Sequence, residues 1–276
     1  MSKRTIVITG ASDGIGAAAA RNLSRRGDNV VIVGRSATKT RQVADELGAD
    51  FFVADFAVLA EVRALAATLL ERYPRIDVLA NNAGGIMGAR QSTVDGNEKT
   101  FQVNHLAPFL LTSLLMDRLV QSHATVINTS SAANSLLGNL VIGDLNATSG
   151  YSANKAYGDA KLANILFTTE LHRRFHEQGV STAAFHPGGV ATGFATGSTS
   201  VMRLVYTTWL KRFLKTPEQG ADTLVWLATT KPGVDWVSGE YYDKRTVAKA
   251  NKQADDAGLA RELWERSLDL VAAPVV

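Results

Sequence analysis

The first half of the chain alternates short β-branched apolar runs with longer segments of helical pattern, and this alternation restricts the fold more than any other feature. The runs are Thr5-Ile6-Val7-Ile8-Thr9, Val30-Val31-Ile32-Val33, Phe51-Phe52-Val53, Val78-Leu79 and Thr125-Val126-Ile127. Helical patterns lie between them over roughly 14–26, 37–47, 58–72 and 97–121. Strands that read as continuous apolar runs are buried on both faces, and a helix between two of them makes a parallel crossover. The expectation is an α/β fold, a doubly wound parallel sheet with helices on both faces. A long helix beginning near Ala153, a strand Val180 to Phe185, the run Glu240-Tyr241-Tyr242 and a helix from about Ala254 to Leu270 continue the pattern. Length alone would allow two domains in 276 residues. No repeat, low-complexity tract or Pro- or Ser-rich linker divides the chain, so a single domain over 1–276 is expected.

Composition removes whole classes of function. Cysteine is absent, which excludes disulfide frameworks, zinc ribbons, iron–sulfur clusters and thiol nucleophiles. Lys and Arg number 29 against 26 Asp and Glu, a net +3 scattered without a block of like charge, and this gives no case for nucleic acid. The start, Met1-Ser2-Lys3-Arg4, runs only into Ile6-Val7-Ile8, far short of the ~20 apolar residues of a membrane span. The uncharged stretch Thr125 to Gly143 is broken by Asn, Thr, Ser and Gly and reads as strand plus loop. A cytoplasmic protein is expected.

At the end of the first run stands Thr9-Gly10-Ala11-Ser12-Asp13-Gly14-Ile15-Gly16, followed by an Ala-rich helix. Glycines between a strand and a helix let the backbone approach a pyrophosphate, whose charge meets the free N–H groups of the helix N-terminus. The spacing is Gly-x-x-x-Gly-x-Gly rather than the commoner G-x-G-x-x-G. The same residues match G-x-S-x-G, a nucleophile elbow with Ser12 as the nucleophile of a serine hydrolase. An elbow needs an earlier strand and loop for its second oxyanion donor, and only nine residues precede Gly10. The second strand ends Val33-Gly34-Arg35-Ser36. A guanidinium and a small hydroxyl there suit a ribose 2′-phosphate, whereas a 2′-hydroxyl would want an acid, so NADP(H) is favoured over NAD(H).

Tyr157 and Lys161 are four apart in a helix predicted over Ala156 to His176, and so share a face. A tyrosine with an ordinary pKa of ~10 needs about 4 kcal/mol to ionise near neutrality. A cation at contact distance supplies that in a cleft but only ~1 kcal/mol in bulk water. Such a phenol can pass a proton to or from a carbonyl oxygen while hydride moves at its carbon. Tyr151 and Lys155 have the same spacing, but Tyr151 follows Ser149-Gly150 and precedes the helix. Asn104 precedes Pro108 by four, so the helix over Asn97 to Gln121 should kink and leave the Asn104 carbonyl without its usual donor. His172 and His176 have i, i+4 spacing without the Glu of H-E-x-x-H, so they read as a basic helix end near Gly179 rather than a metal site.

In combination, Thr9-Gly-x-x-x-Gly-x-Gly16, Asn81-Asn82-Ala83-Gly84, Asn104, Asn128-Thr129-Ser130-Ser131, Tyr157-x-x-x-Lys161 and Pro187-Gly188 resemble the short-chain dehydrogenase/reductase family, in its order and spacing. The resemblance implies a Rossmann fold, an oxidoreductase acting on CH–OH or C=O groups, and a tetrad of Asn104, Ser131, Tyr157 and Lys161. Tyr157 would be the general acid/base, Lys161 would hold the nicotinamide ribose, and Ser131, with Ser130 as the register alternative, would bond the substrate oxygen. The Asn104 carbonyl would hold a water on the proton path. Gly10, Ser12, Asp13, Gly14, Ile15 and Gly16 would cradle the pyrophosphate and Arg35 and Ser36 the 2′-phosphate. Asp55 would meet adenine, and Asn82, Ala83 and Gly84 the adenosine ribose side. Pro187, Gly188, Val190 and Thr192 would lie along the nicotinamide, with Thr192 on its carboxamide. One departure is Ala160, where the family often has Ser. Lys161-Leu162-Ala163-Asn164, His186-Pro187-Gly188 and the long stretch Gly138 to Gly150 resemble the retinol dehydrogenase-like branch and its bacterial relatives. By the resemblance, about 195–215 would be the substrate lid. Its residues Val201, Met202, Leu204, Val205, Tyr206, Trp209, Leu210, Phe213 and Leu214 favour an apolar or aromatic carbonyl or alcohol, with membrane-surface contact as the rival use of 196–215. A non-catalytic redox sensor on the same fold would need only the cradle, not the tetrad. Gly158, Ala160 and Ala163 would let helices of a homo-oligomer approach closely.

Overall fold

A computed structural model describes residues 3–189 and 215–272. The first half follows the expected alternation: β1 Thr5–Thr9, α1 Gly14–Arg25, β2 Asn29–Gly34, α2 Ala37–Leu47, β3 Asp50–Val53, α3 Leu59–Arg72 and β4 Val78–Asn81. Beyond a helical turn Lys99–Phe101 and a π-turn Gln102–Leu106 come α4 Ala107–Leu114, α5 Met116–Ser122, β5 Thr125–Thr129, α6 Ala133–Leu137 and α7 Ala153–Phe175. The remainder is β6 Ser181–Phe185, α8 Pro217–Thr229, β7 Tyr241–Asp243, β8 Thr246–Val247 and α9 Ala257–Ala272. The described strands form one sheet in the order β3-β2-β1-β4-β5-β6-β7-β8, parallel except for the β7–β8 hairpin.

Each central strand supplies two cores, because alternate side chains leave on opposite faces. Ile6 and Ile8 of β1 pack with Ile32, Ile127, Ala17–Ala20, Leu224 and Leu227 under α1 and α8. Val7 between them joins Val31, Leu79, Val126, Leu69, Phe109 and Leu166 under α3, α4 and α7. This is the doubly wound arrangement, and it explains why the strands read as unbroken apolar runs. It also puts the strand ends, and the turns leaving β1, β4 and β5, at one edge of the sheet where a ligand crevice forms.

Several expectations need correction. β3 is not buried on both faces: it is the edge strand, Phe51 and Phe52 are half-buried and Val53 is 46 % exposed. The helix over 97–121 is not continuous. A π-turn, in which the Ala107 N–H bonds to Gln102 five residues back, replaces the expected kink before Pro108, and the chain breaks again at Leu115. Proline cannot donate to Asn104, and a wider turn accommodates the missing bond. α6 lies inside the stretch read as loop, and α8 was not foreseen, although its Thr216–Gln219 capping box directly before Leu224 and Leu227 is a start signal. The small residues Gly158, Ala160 and Ala163 are used within the chain. A Cβ on Gly158 would stand 2.7 Å from the backbone of Leu137, and both alanines are fully buried. α9 closes over α4 and α7 through Trp264, whose ring lies 5.0 Å from Phe109 and 5.8 Å from Phe167. Val190, Thr192 and the lid over 196–215, except Lys215, lie outside the described residues. Among the described residues no helix is long and apolar enough to cross a membrane.

Candidate active site

The glycine-rich turn is shaped by contact with the end of β4. Gly10 has φ +65° and a Cβ there would stand 2.7 Å from Ala83 Cα, so no other residue keeps this turn against β4. Thr9 Oγ1 accepts from the N–H groups of Asn82 and Ala83, each at 3.0 Å, while Asn82 Nδ2 donates back to the Thr9 carbonyl at 3.1 Å. Asp13 caps α1, its Oδ1 accepting from the Gly14 N–H at 2.7 Å and its Oδ2 pairing with Lys39 at 3.0 Å. The Lys39 bond holds the Asp13 carboxyl below the usual carboxylate range.

A cleft of about 590 Å³ runs from Gly10 and Ser12 past Arg35 and Asp55 to Ala83, Gly84 and Lys99. Six residues expected to touch a dinucleotide, Gly10, Ser12, Arg35, Asp55, Ala83 and Gly84, therefore share one wall. Arg35 is exposed and has no ion-pair partner among the described residues. Others of the expected set serve the turn instead: Asn82 binds Thr9, and Ser36 caps α2 by accepting from the Lys39 N–H at 3.4 Å. Asp55 Oδ1 accepts from the Ala57 N–H at 2.9 Å. The hydrolase alternative gains no support among the described residues: the hydrogen bonds of His105, His172 and His186 go to Asn164 and Ser267, to Ser238 and to Gly188 respectively, and none goes to Ser12.

Deeper in, α7 carries Tyr157 and Lys161 on one face. Tyr157 is buried, and the Lys161 ammonium lies 5.5 Å from the centre of its ring. Lys161 is 1 % exposed; Nζ donates to the Thr129 carbonyl at 3.0 Å, and burial pushes its pKa down to about 7. The two candidate serines differ in their surroundings. Ser130 is buried and donates its hydroxyl to the Lys161 carbonyl at 2.7 Å, so its proton is spent on tying β5 to α7. Ser131 is half-buried, accepts from the Ala133 N–H at 3.2 Å, and its O–H meets no acceptor among the described residues.

Asn104 sits in the π-turn, fully buried, and its side chain grips the strand exit rather than facing solvent. Nδ2 donates to the carbonyls of Gly85 and Thr100 at 2.9 and 2.8 Å, and Oδ1 accepts from the Gly85 N–H at 3.0 Å. A Cβ on Gly84 would stand 2.4 Å from Asn104 Oδ1 and 3.1 Å from Lys161 Nζ, so this glycine is the point where cleft, asparagine and lysine meet. The second Tyr/Lys pair does not assemble. The Tyr151 hydroxyl donates to the Gly88 carbonyl at 3.1 Å, and Lys155 pairs with Asp159 and the Asn139 carbonyl. Pro187 and Gly188 form a turn in which Gly188, at φ +82°, donates its N–H to His186 Nδ1 at 3.1 Å and the Pro187 carbonyl accepts from Lys215 at 3.2 Å.

Two features escaped the sequence. The Thr9 hydroxyl that joins β1 to β4 had a visible signal, a hydroxyl residue at a strand end before the glycines. His105, which carried no signal, is buried between Asn164 and Ser267.

The geometry has relatives. A family profile described as short chain dehydrogenase matches residues 4–202. The chain is 45 % identical to a protein of Streptomyces sp. (strain C5) named "Putative daunorubicin C-13 ketoreductase DnrU", over 96 % of this chain and 91 % of the other. It is 38 % identical to human retinol dehydrogenase 11, over 99 % and 87 %. A crystal structure of a short chain dehydrogenase from Shigella flexneri 2a, complexed with NADP, superposes with a TM-score of 0.63 at 27 % identity, over 83 % of this chain and 92 % of that one. The turn, the cleft and the buried Tyr157–Lys161 centre thus belong to a chain that is a member of the short chain dehydrogenase family, with retinol dehydrogenase-like relatives.

Proposed function

We propose that this protein is a single-domain NADP(H)-dependent oxidoreductase that interconverts an alcohol and a carbonyl on an apolar or aromatic substrate. The observation that carries the reading is the buried Lys161 ammonium 5.5 Å from the centre of the Tyr157 ring, together with Ser131, whose O–H meets no acceptor among the described residues. The residues present fit the dinucleotide. Gly10 and Gly16 let the turn pack against Ala83 and Asn82 at distances a Cβ would forbid, which keeps the backbone open to a pyrophosphate, and Arg35 lines the cleft with no ion-pair partner among the described residues, where it would meet a 2′-phosphate.

When bound, NADP(H) supplies or accepts the hydride at the substrate carbon. Ser131 donates a hydrogen bond to the substrate oxygen and fixes it beside Tyr157. In the reducing direction Tyr157 gives its phenolic proton to that oxygen, and the phenolate left behind faces Lys161. Ionising the phenol near neutrality takes about 4 kcal/mol. A unit charge ~4 Å away supplies that much at the effective dielectric of a partly buried site. Lys161, pushed down to about 7 by burial, is held charged by the phenolate it stabilises. Asn104 fixes Gly84 and Gly85 against the lysine, which keeps the cleft wall in place.

The names of the relatives support the reaction class: one is named for reduction of a ketone, another for retinol. The Shigella structure, complexed with NADP, supports the cofactor. Fluorescence titration of the purified protein with NADPH and NADH in parallel tests the proposal. Tighter binding of NADPH is the expected result, tighter binding of NADH refutes the reading of Arg35, and binding of neither refutes the dehydrogenase function.

A further inference from the structure

His105 and Asn164 are buried polar residues that the reaction above leaves unused. His105 lies in the π-turn next to Asn104 and is 1 % exposed. Its Nδ1 is 3.3 Å from Asn164 Oδ1 and its Nε2 is 3.0 Å from Ser267 Oγ on α9. Asn164 Nδ2 donates to the Thr129 carbonyl at 3.2 Å, the same oxygen that takes the Lys161 ammonium at 3.0 Å.

Counting donors and acceptors leaves one arrangement. Thr129 O can only accept, so Asn164 turns Nδ2 toward it and Oδ1 toward His105. His105 then carries its proton on Nδ1, and Nε2 accepts from the Ser267 hydroxyl. The other tautomer would need the Asn164 amide turned over, which sets Oδ1 against the Thr129 oxygen. Two buried acceptors facing each other cost more than the bond they replace. Burial also pushes His105 down to about 4, so the neutral ring persists through the physiological range. An amide does not relay protons, and the chain is a strut rather than a wire.

We propose that His105 and Asn164 are positioning residues for the reaction: through the Thr129 carbonyl they fix where the Lys161 ammonium stands beside Tyr157, and Ser267 anchors that strut on α9. The proposal rests on the roles given above to Lys161 and Tyr157. A lysine released from this strut stabilises the phenolate less well, so the phenol ionises at higher pH.

Two measurements test it. Nitrogen NMR of the whole protein with labelled histidine reads the tautomer of His105 without any turnover. An Nδ1–H ring from about pH 6 to about pH 9 is expected, and an Nε2–H ring overturns the proposal. The second is kinetic. His105→Leu removes the donor, whereas His105→Asn keeps an N–H near the Nδ1 place. His105→Leu is expected to lower kcat about tenfold, raise the pH midpoint of alcohol oxidation by about one unit and leave KM within about twofold. His105→Asn restores both kcat and midpoint. A His105→Leu protein with the wild-type midpoint, or a His105→Asn protein no better than His105→Leu, overturns the proposal. Asn164→Leu replaces His105→Leu under the same criteria where the latter does not fold. Absence of any carbonyl turnover by the wild-type protein would sink the enzymatic reading instead, and the tautomer would still decide the geometry.

Discussion

Lys161→Met should make the protein more stable and inactive at once. Burial pushes the lysine from its ordinary 10.5 to about 7, and at about 1.4 kcal/mol per pH unit the folded state bears about 5 kcal/mol for holding the ammonium. The residue is 1 % exposed, so solvent screening does not discount this figure. Between pH 7 and 10.5 the unfolded chain binds the proton and the folded protein does not, so stability rises with pH through that window. Below it both states are protonated and the full cost is present. Methionine fills nearly the same volume without charge. Thr129 keeps the Asn164 donor, while the lost charged bond offsets part of the gain. A net stabilisation of about 1–4 kcal/mol near pH 6 is expected, fading toward pH 10. Urea unfolding of the two cofactor-free proteins across this range measures it. A variant less stable than wild type at pH 6, with an unchanged pH dependence, refutes the reasoning.

Four further substitutions test individual roles. Ser131→Ala should cost kcat about 100-fold or more by removing a donor to the developing oxyanion. Ser130→Ala should leave kcat within about threefold but lower stability by about 1 kcal/mol, because it removes the hydrogen bond that ties β5 to α7; steady-state kinetics and urea unfolding check both. Arg35→Ala should weaken NADPH binding about tenfold or more while sparing NADH, since only the former presents the 2′-phosphate; parallel titrations decide it. Gly84→Ala drives a methyl against Asn104 Oδ1 and Lys161 Nζ, and should cost about 1–3 kcal/mol of stability together with most of the activity; unfolding and turnover of the same sample show whether the two losses come together.

What the sequence revealed depended on the range of the interactions. The central strands were legible because burial on both faces writes itself as Ile6-Val7-Ile8 or Val30-Val31-Ile32-Val33. The edge position of β3 was not, because Phe51-Phe52-Val53 is as apolar as a central strand and only the pairing order exposes it. Tyr157 and Lys161 were legible since one helical turn places them together. Pro108 foretold a disturbance at Asn104 but not its form: a missing N–H says that a bond is lost, and only packing selects a π-turn over a kink. What distinguishes Ser130 from Ser131, the bond of Ser130 to the Lys161 carbonyl, lies 31 residues on and was not legible either. His105 was opaque for the same reason, its partners being 59 and 162 residues away. The partial charges that orient such a residue come from distant segments, and no local pattern encodes them.

The central claim is that Tyr157 moves the proton from a position set by Lys161, and Tyr157→Phe tests it most directly. The variant keeps the ring and its packing and loses only the hydroxyl. Turnover of an apolar ketone with NADPH should fall by about 10²–10⁴-fold, while NADPH binding, read by fluorescence on the same sample, stays within about twofold of wild type. Turnover that survives the substitution with binding unchanged would contradict the account.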